Sequence, residues 1–144
     1  MGRVLGIDHG SVRIGIAVSD ETNSMAFGNC VIANDNKFPA NLKKIISENN
    51  VTEIVLGYPL NLKGEKTQQT LNVEEFEEKL KSVFTPEENI KITRWDERFT
   101  SKMAADSMLE SGMSKKNRQK KSNLDLMSAA LMLQSYLDSV KFKG

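Results

Sequence analysis

The sequence is short of the residues on which several protein classes depend. It holds one cysteine, Cys30, and one histidine, His9. A lone cysteine cannot close an internal disulfide, so nothing in the chain asks for an oxidising compartment. The same scarcity excludes a structural zinc site, which needs about four nitrogen or sulfur ligands. No apolar run approaches the roughly 20 residues of a membrane helix. Met1 to Leu5 lead straight into a strand and offer no signal peptide, so a cytoplasmic location is expected. Net charge is small as well, +1 over 144 residues, and does not by itself announce a polyanionic partner. Internal repeats, linkers and low-complexity tracts are missing too.

What is present is ordinary for a globular protein. Hydrophobic residues make up 39% and charged residues 27%, a balance that argues against disorder. One domain spanning 1–144 is expected, burying roughly 68–70% of the surface its unfolded chain exposes. The charge is unevenly spread. Glu65 to Glu88 carry seven acids against three lysines, whereas five of the seven positions from Lys115 to Lys121 are basic and none is acidic. That basic stretch is the one electrostatic pointer to a polyanion.

Hydrophobic periodicity supplies the elements. Val4, Leu5 and Ile7 form an apolar run ending in Asp8-His9-Gly10-Ser11, and Ile14, Ile16 and Val18 then alternate with Gly15, Ala17 and Ser19. This pattern predicts a β-hairpin, with a third strand over 25–33. Pro39 suits a first helical turn, and Phe38, Leu42, Ile45 and Ile46 follow helical spacing. Ile54-Val55-Leu56 reads as a buried strand closed by Gly57-Tyr58-Pro59. Val73, Phe76, Leu80 and Val83 predict a second helix, with Glu74, Glu75, Glu77 and Glu78 around its wet faces. Ile90, Ile92 and Trp95 predict a strand that delivers Asp96-Glu97-Arg98. Thr100 suits the N-cap of a helix carrying Met103, Ala104 and Leu109, with Gly112 just past its end. A last helix from about Asn123 is apolar nearly all round and is expected to be buried. The order gives an α/β sheet, antiparallel at first and parallel later.

Three acids sit in unusual places. Asp8 and Glu97 each stand at the carboxyl end of a strand, where α/β sheets form their ligand crevice. Asp125 lies in the expected first turn of the apolar last helix. Each has an ordinary reading when taken alone. Asp8 suits a turn, Glu97 can pair with Arg94 or Arg98, and Asp125 can favour the helix dipole by about 0.3–1 kcal/mol. His9 reads as a turn residue, and Met103, Met108, Met127 and Met132 as core filler. Brought together, the acids say more. Two carboxylates ~4 Å apart repel by about 4 kcal/mol at an effective dielectric near 20. Three would need a cation, and hard oxygen ligands favour Mg²⁺ or Mn²⁺, the makings of a phosphoryl-transfer site.

Four segments, in order, resemble the YqgF (RuvX) family, described as Holliday junction resolvases or pre-16S rRNA processing nucleases of the RNase H-like superfamily. They are Leu5-Gly6-Ile7-Asp8-His9-Gly10-Ser11 running on to Asp20, Gly57-Tyr58-Pro59-Leu60-Asn61 with Gly64, Asp96-Glu97-Arg98-Phe99-Thr100, and Lys115-Lys116-Asn117-Arg118 leading through Asp125 to Leu137. His9, Phe99 and Ser128 depart from the family pattern, and none is an acid. The resemblance implies an RNase H-like fold, α/β, with a five-stranded mixed sheet flanked by helices. It implies that Asp8, Glu97 and Asp125 are catalytic and bind Mg²⁺ or Mn²⁺, with Asp96 and Arg98 in support. Arg13, Asn61, Lys115, Lys116, Arg118, Lys120 and Lys121 are then expected to contact nucleic acid, since phosphate contacts position such ligands. The expected partners are structured RNA (a precursor rRNA) or branched DNA, together with ribosomal particles and no membrane, met by a monomer or homodimer.

Two rivals follow from the same residues. Asp8-His9-Gly10-Ser11 with Gly15 also resembles the first phosphate loop of actin-like ATPases. A second such loop is missing, and 144 residues leave no room for a second lobe. A non-catalytic RNA- or ribosome-binding module is the other rival, disfavoured because three acids beside a phosphate weaken binding.

Overall fold

The structure, a computed structural model, describes residues 2–100 and 121–143. Among these, β1 (Arg3–Asp8), β2 (Arg13–Ser19) and β3 (Ala26–Ala33) are followed by α1 (Phe38–Glu48), β4 (Val51–Tyr58), α2 (Gln68–Val83), β5 (Lys91–Asp96) and α3 (Lys121–Lys143). The strands form one five-stranded sheet in the order β3-β2-β1-β4-β5. The predicted hairpin is there, antiparallel with Ile7 opposite Ile16 and Asp8 opposite Gly15. β4 runs parallel to β1, and β5 parallel to β4. β1, β4 and β5 therefore all end at the same edge.

Alternation along the strands builds two layers. Leu5, Ile7, Ile14, Ile16, Ile54 and Leu56 pack with Phe38 and Leu42 of α1 and with Val73, Phe76 and Leu80 of α2. The opposite face carries Val4, Ala17 and Val55 against Ala129, Ala130, Met132, Leu133 and Leu137 of α3. Small residues dominate that second face, and α3 lies close upon it. A Cβ at Gly6 would stand 3.0 Å from the Leu133 Cβ, and one at Gly15 only 2.4 Å from the Asp125 carbonyl oxygen. Each large aliphatic side chain so buried stabilises the fold by about 1.5–3 kcal/mol.

The sequence expectations need four corrections. Glu77 is buried rather than wet, at 4% exposure, because Arg94 of β5 grips both its oxygens at 2.6 to 3.1 Å. Among the described residues α3 is covered on the side that meets the sheet, with Leu124 and Val140 exposed. α3 also starts before Asn123, so Asp125 falls beyond its first turn, where a dipole role is weak. In β5, Ile92 and Trp95 serve opposite layers, because an interval of three residues reverses the face in a strand. The expected helix after Thr100 and the residues Lys115, Lys116, Arg118 and Lys120 lie outside the described residues, while Lys121 opens α3. No helix among the described residues is long and apolar enough to cross a membrane.

Candidate active site

Asp8 closes β1, and Glu97 follows β5 in a 3-10 turn over Glu97–Phe99. Parallel pairing through β4 carries both to one edge of the sheet, and their side chains hydrogen-bond to each other. Burial raises the Asp8 carboxyl to about 6; the bond from Glu97 opposes that rise, and the charge of Asp125 adds to it. Glu97 is raised to about 7, first by burial, then by the charge of Asp8 and the hydrogen bond to it, with Asp96 adding a little. Burial, together with the repulsion between the two charges, favours a protonated form of the pair. Once both are ionised, two such carboxylates favour a nearby cation.

Glycine makes the room. A Cβ at Gly57 of β4 would lie 2.5 Å from Glu97 Oε1 and 2.9 Å from Met132 Sδ, so a side chain there would collide with the carboxylate. The close seat of Asp125 against Gly15 delivers the third acid in the same way. Neither glycine stood out as a site residue from sequence, and the only signal was a glycine inside a strand pattern, which marks a close approach of backbone or ligand.

Asp125 approaches near enough to raise Asp8, yet its own Oδ2 is taken by Arg13 Nε at 3.1 Å. Among the described residues, no three His, Cys, Asp or Glu side chains are grouped as they lie to hold a metal ion. Asp8 and Glu97 form the assembled part of the trio, and Asp125 is engaged by Arg13. The donor set is nonetheless all carboxylate oxygen, which suits a hard divalent cation.

The remaining expected residues divide by their contacts. Arg98 is bound to Asp96 through Nε at 3.0 and 3.1 Å and through Nη2 at 2.6 Å, and Asp96 also accepts from the Arg98 backbone at 2.9 Å. This pairing holds the Asp96 carboxyl below its usual range, and Asp96 faces Arg98 rather than the acid pair. Asn61 fastens the β4–α2 loop, its Oδ1 accepting from the backbone of Lys63 and Glu65 at 3.0 and 2.8 Å. Gly64 in that loop has φ +82°, and Arg98 Nη1 lies 3.0 Å from where its Cβ would be. His9 points away from Asp8, packing on Phe76 at 4.6 Å between ring centroids and meeting the Asn34 amide at 3.3 Å.

Comparison with known proteins completes the picture. A family model described as RuvX, Holliday junction resolvase, matches residues 2–139. Relatives named "putative pre-16S rRNA nuclease" include one from Flavobacterium psychrophilum, 42% identical over 137 residues, 95% of this chain and 97% of its own. Another, from Ruminiclostridium cellulolyticum, is 41% identical over 141 residues, 96% of this chain and 95% of its own. Among solved structures, T. thermophilus RuvC in complex with Holliday junction substrate superposes with a TM-score of 0.66 at 11% identity, covering 99% of this chain and 96% of that one. The Fowlpox virus resolvase complex with Holliday junction DNA gives 0.59 at 15% identity, with 96% and 98% covered. At such identities the structural likeness establishes the fold, which is that of the RNase H-like resolvases.

Proposed function

Since this chain belongs to the RuvX family, we propose that it is a nuclease dependent on a divalent metal, cutting phosphodiester bonds of structured RNA during maturation of the 16S rRNA 5′ end. The observation that carries this reading is the half-buried pair Asp8–Glu97, two acids brought from β1 and the turn after β5 to one edge of the sheet, with pKa values raised to about 6 and about 7. Burying two carboxylates together costs stability, and a binding module would gain nothing from it beside a phosphate.

Asp8, Glu97 and Asp125 would hold the ion, Mg²⁺ or Mn²⁺. Bound there, such a cation supplies Lewis acidity and lowers the pKa of water for attack on phosphorus. Arg13, bonded to Asp125 through Oδ2, would hold that acid beside the other two and offer its remaining N–H groups to a substrate phosphate. Asp96 keeps Arg98 oriented at the same edge. Asn61 shapes the facing loop. Lys115, Lys116, Arg118, Lys120 and Lys121 precede Asp125 in sequence and would meet further phosphates, the sequence-independent part of affinity. The protein would act as one domain in the cytoplasm, on ribosomal particles that carry the precursor.

The test uses purified protein with Mn²⁺ or Mg²⁺ on a precursor-rRNA fragment and on a four-way DNA junction. Cleavage of the RNA, lost in Asp8→Asn while binding persists, is the expected result. Binding without cleavage under either metal would overturn the proposal. The second reading, a resolvase of branched DNA, draws on the fold of its structural neighbours. It predicts cleavage of the junction in preference to the RNA, by a homodimer rather than a monomer.

A further inference from the structure

The turn that carries Glu97 also carries an aromatic ring outside any core. Phe99 is 62% exposed, although Glu97, two residues earlier in the same 3-10 turn, is drawn inward to Asp8. The ring is nevertheless fixed. Trp95 meets it edge-on at 5.9 Å between centroids, and the Arg98 guanidinium carbon is 5.8 Å from its centre. Arg98 is itself clamped to Asp96. The β4–α2 loop also meets that guanidinium, at Gly64. The loop is well fastened: Asn61 donates its backbone N–H to the Glu65 carbonyl, accepts from Gly64 N–H, and ties Lys63 and Glu65 through its side chain. The side chain at its apex is Leu62, 96% exposed.

A single apolar residue on a surface needs no explanation. Leu62 and Phe99 differ in that the loop of the one and the ring of the other both meet the Arg98 guanidinium, and Phe99 shares the turn of Glu97. We propose that Leu62, Arg98 and Phe99 form a seat for an unpaired nucleobase next to the scissile phosphate. The substrate class is then narrowed to nucleic acid cut beside a nucleotide that lies outside helical stacking. This rests on the nuclease reading above.

The chemistry favours a base over another occupant. Within a duplex, both faces of a base are covered by its neighbours, so only an unstacked base can offer a face to Phe99 and to the guanidinium plane. An aliphatic side chain at a loop tip keeps such a base from returning to its stack. Lys63, exposed and adjacent to Leu62, adds a positive charge for the next phosphate. A hydrophobic peptide would use the two apolar groups and leave Arg98 and Lys63 without a role.

The experiment uses an RNA hairpin containing one unpaired 2-aminopurine and its fully paired counterpart, bound to protein in the Asp8→Asn background. Binding should quench the unpaired fluorophore. Phe99→Ala or Leu62→Ser should weaken that hairpin roughly ten-fold, within the range expected for one base stacked on an aromatic, and leave the paired hairpin within about two-fold. Phe99→Trp should restore the quenching. Equal losses on both hairpins, or no change on either, would overturn the seat. If wild type with aspartate at position 8 still cuts RNA while the hairpins are not distinguished, the seat falls and the nuclease stands. If neither hairpin is bound at all, both fall.

Discussion

With Asp8 at about 6 and Glu97 at about 7, the folded chain holds protons on groups that are ionised in the unfolded chain from about pH 4 upward. More protons in the folded state mean that stability declines as pH rises. The decline starts near the unfolded values, is complete once pH passes about 7, and is absent at pH values below both. Asp8→Asn removes one member of the pair. It should therefore stabilise the metal-free protein at pH 7.5 by on the order of 1–3 kcal/mol, with little difference at pH 4, as urea denaturation would show. No gain at neutral pH would mean that the pair is not strained. On the proposed reading, Mn²⁺ would compete with protons for the same carboxylates. The rise in Tm on adding Mn²⁺ should be small at pH 5.5, large at pH 7.5, and absent in Asp8→Asn; a pH-independent rise would place the ion elsewhere. The acids themselves could be read from sequence because each departs from its local pattern, a charge closing an apolar strand or interrupting an apolar helix. Gly57 and Gly15 could not, because what they leave room for comes from another part of the chain.

Between elements, the buried ion pair of α2 and β5 makes the same point. Glu77 lies among acids on a helix and reads as one more solvated charge, until β5 brings Arg94 against it with the guanidinium also over the Tyr58 ring at 4.5 Å. Arg94→Ala would leave a buried carboxylate without a partner and should destabilise the fold by about 2–4 kcal/mol, the lower end reflecting the half-exposed arginine. Replacing both residues with leucine should cost much less. If chemical denaturation gave the single and double variants equal losses, the pair would not be the reason Glu77 is buried. Element types were legible throughout the described chain, since period two and period 3.6 are properties of the local sequence. Direction was harder to read. The apolar residues of α3 exceed what its one contact face can cover, and nothing in the helix alone says which of them meet the small-residue face of the sheet.

At the scale of the molecule, the alternation of strands and helices was enough to predict a sheet antiparallel at its start and parallel afterwards, as β3-β2-β1-β4-β5 is. Net charge of +1 says little about ligands at this scale, and the expected footprint is local. Replacing Lys115, Lys116 and Arg118 with glutamine should weaken nucleic-acid binding and reduce the slope of log K against log salt by about 2–3, close to one for each phosphate that is no longer neutralised. An unchanged slope would remove this segment from the interface. The strand order has a further consequence for the protein while it is being made. Asp8 is made before its partner across the sheet, which can dock only after both parallel crossovers have emerged, and Asp125 is later still. A nascent chain that stops short of Glu97 thus carries no assembled acid pair, and the order of translation itself postpones the meeting of the two carboxylates.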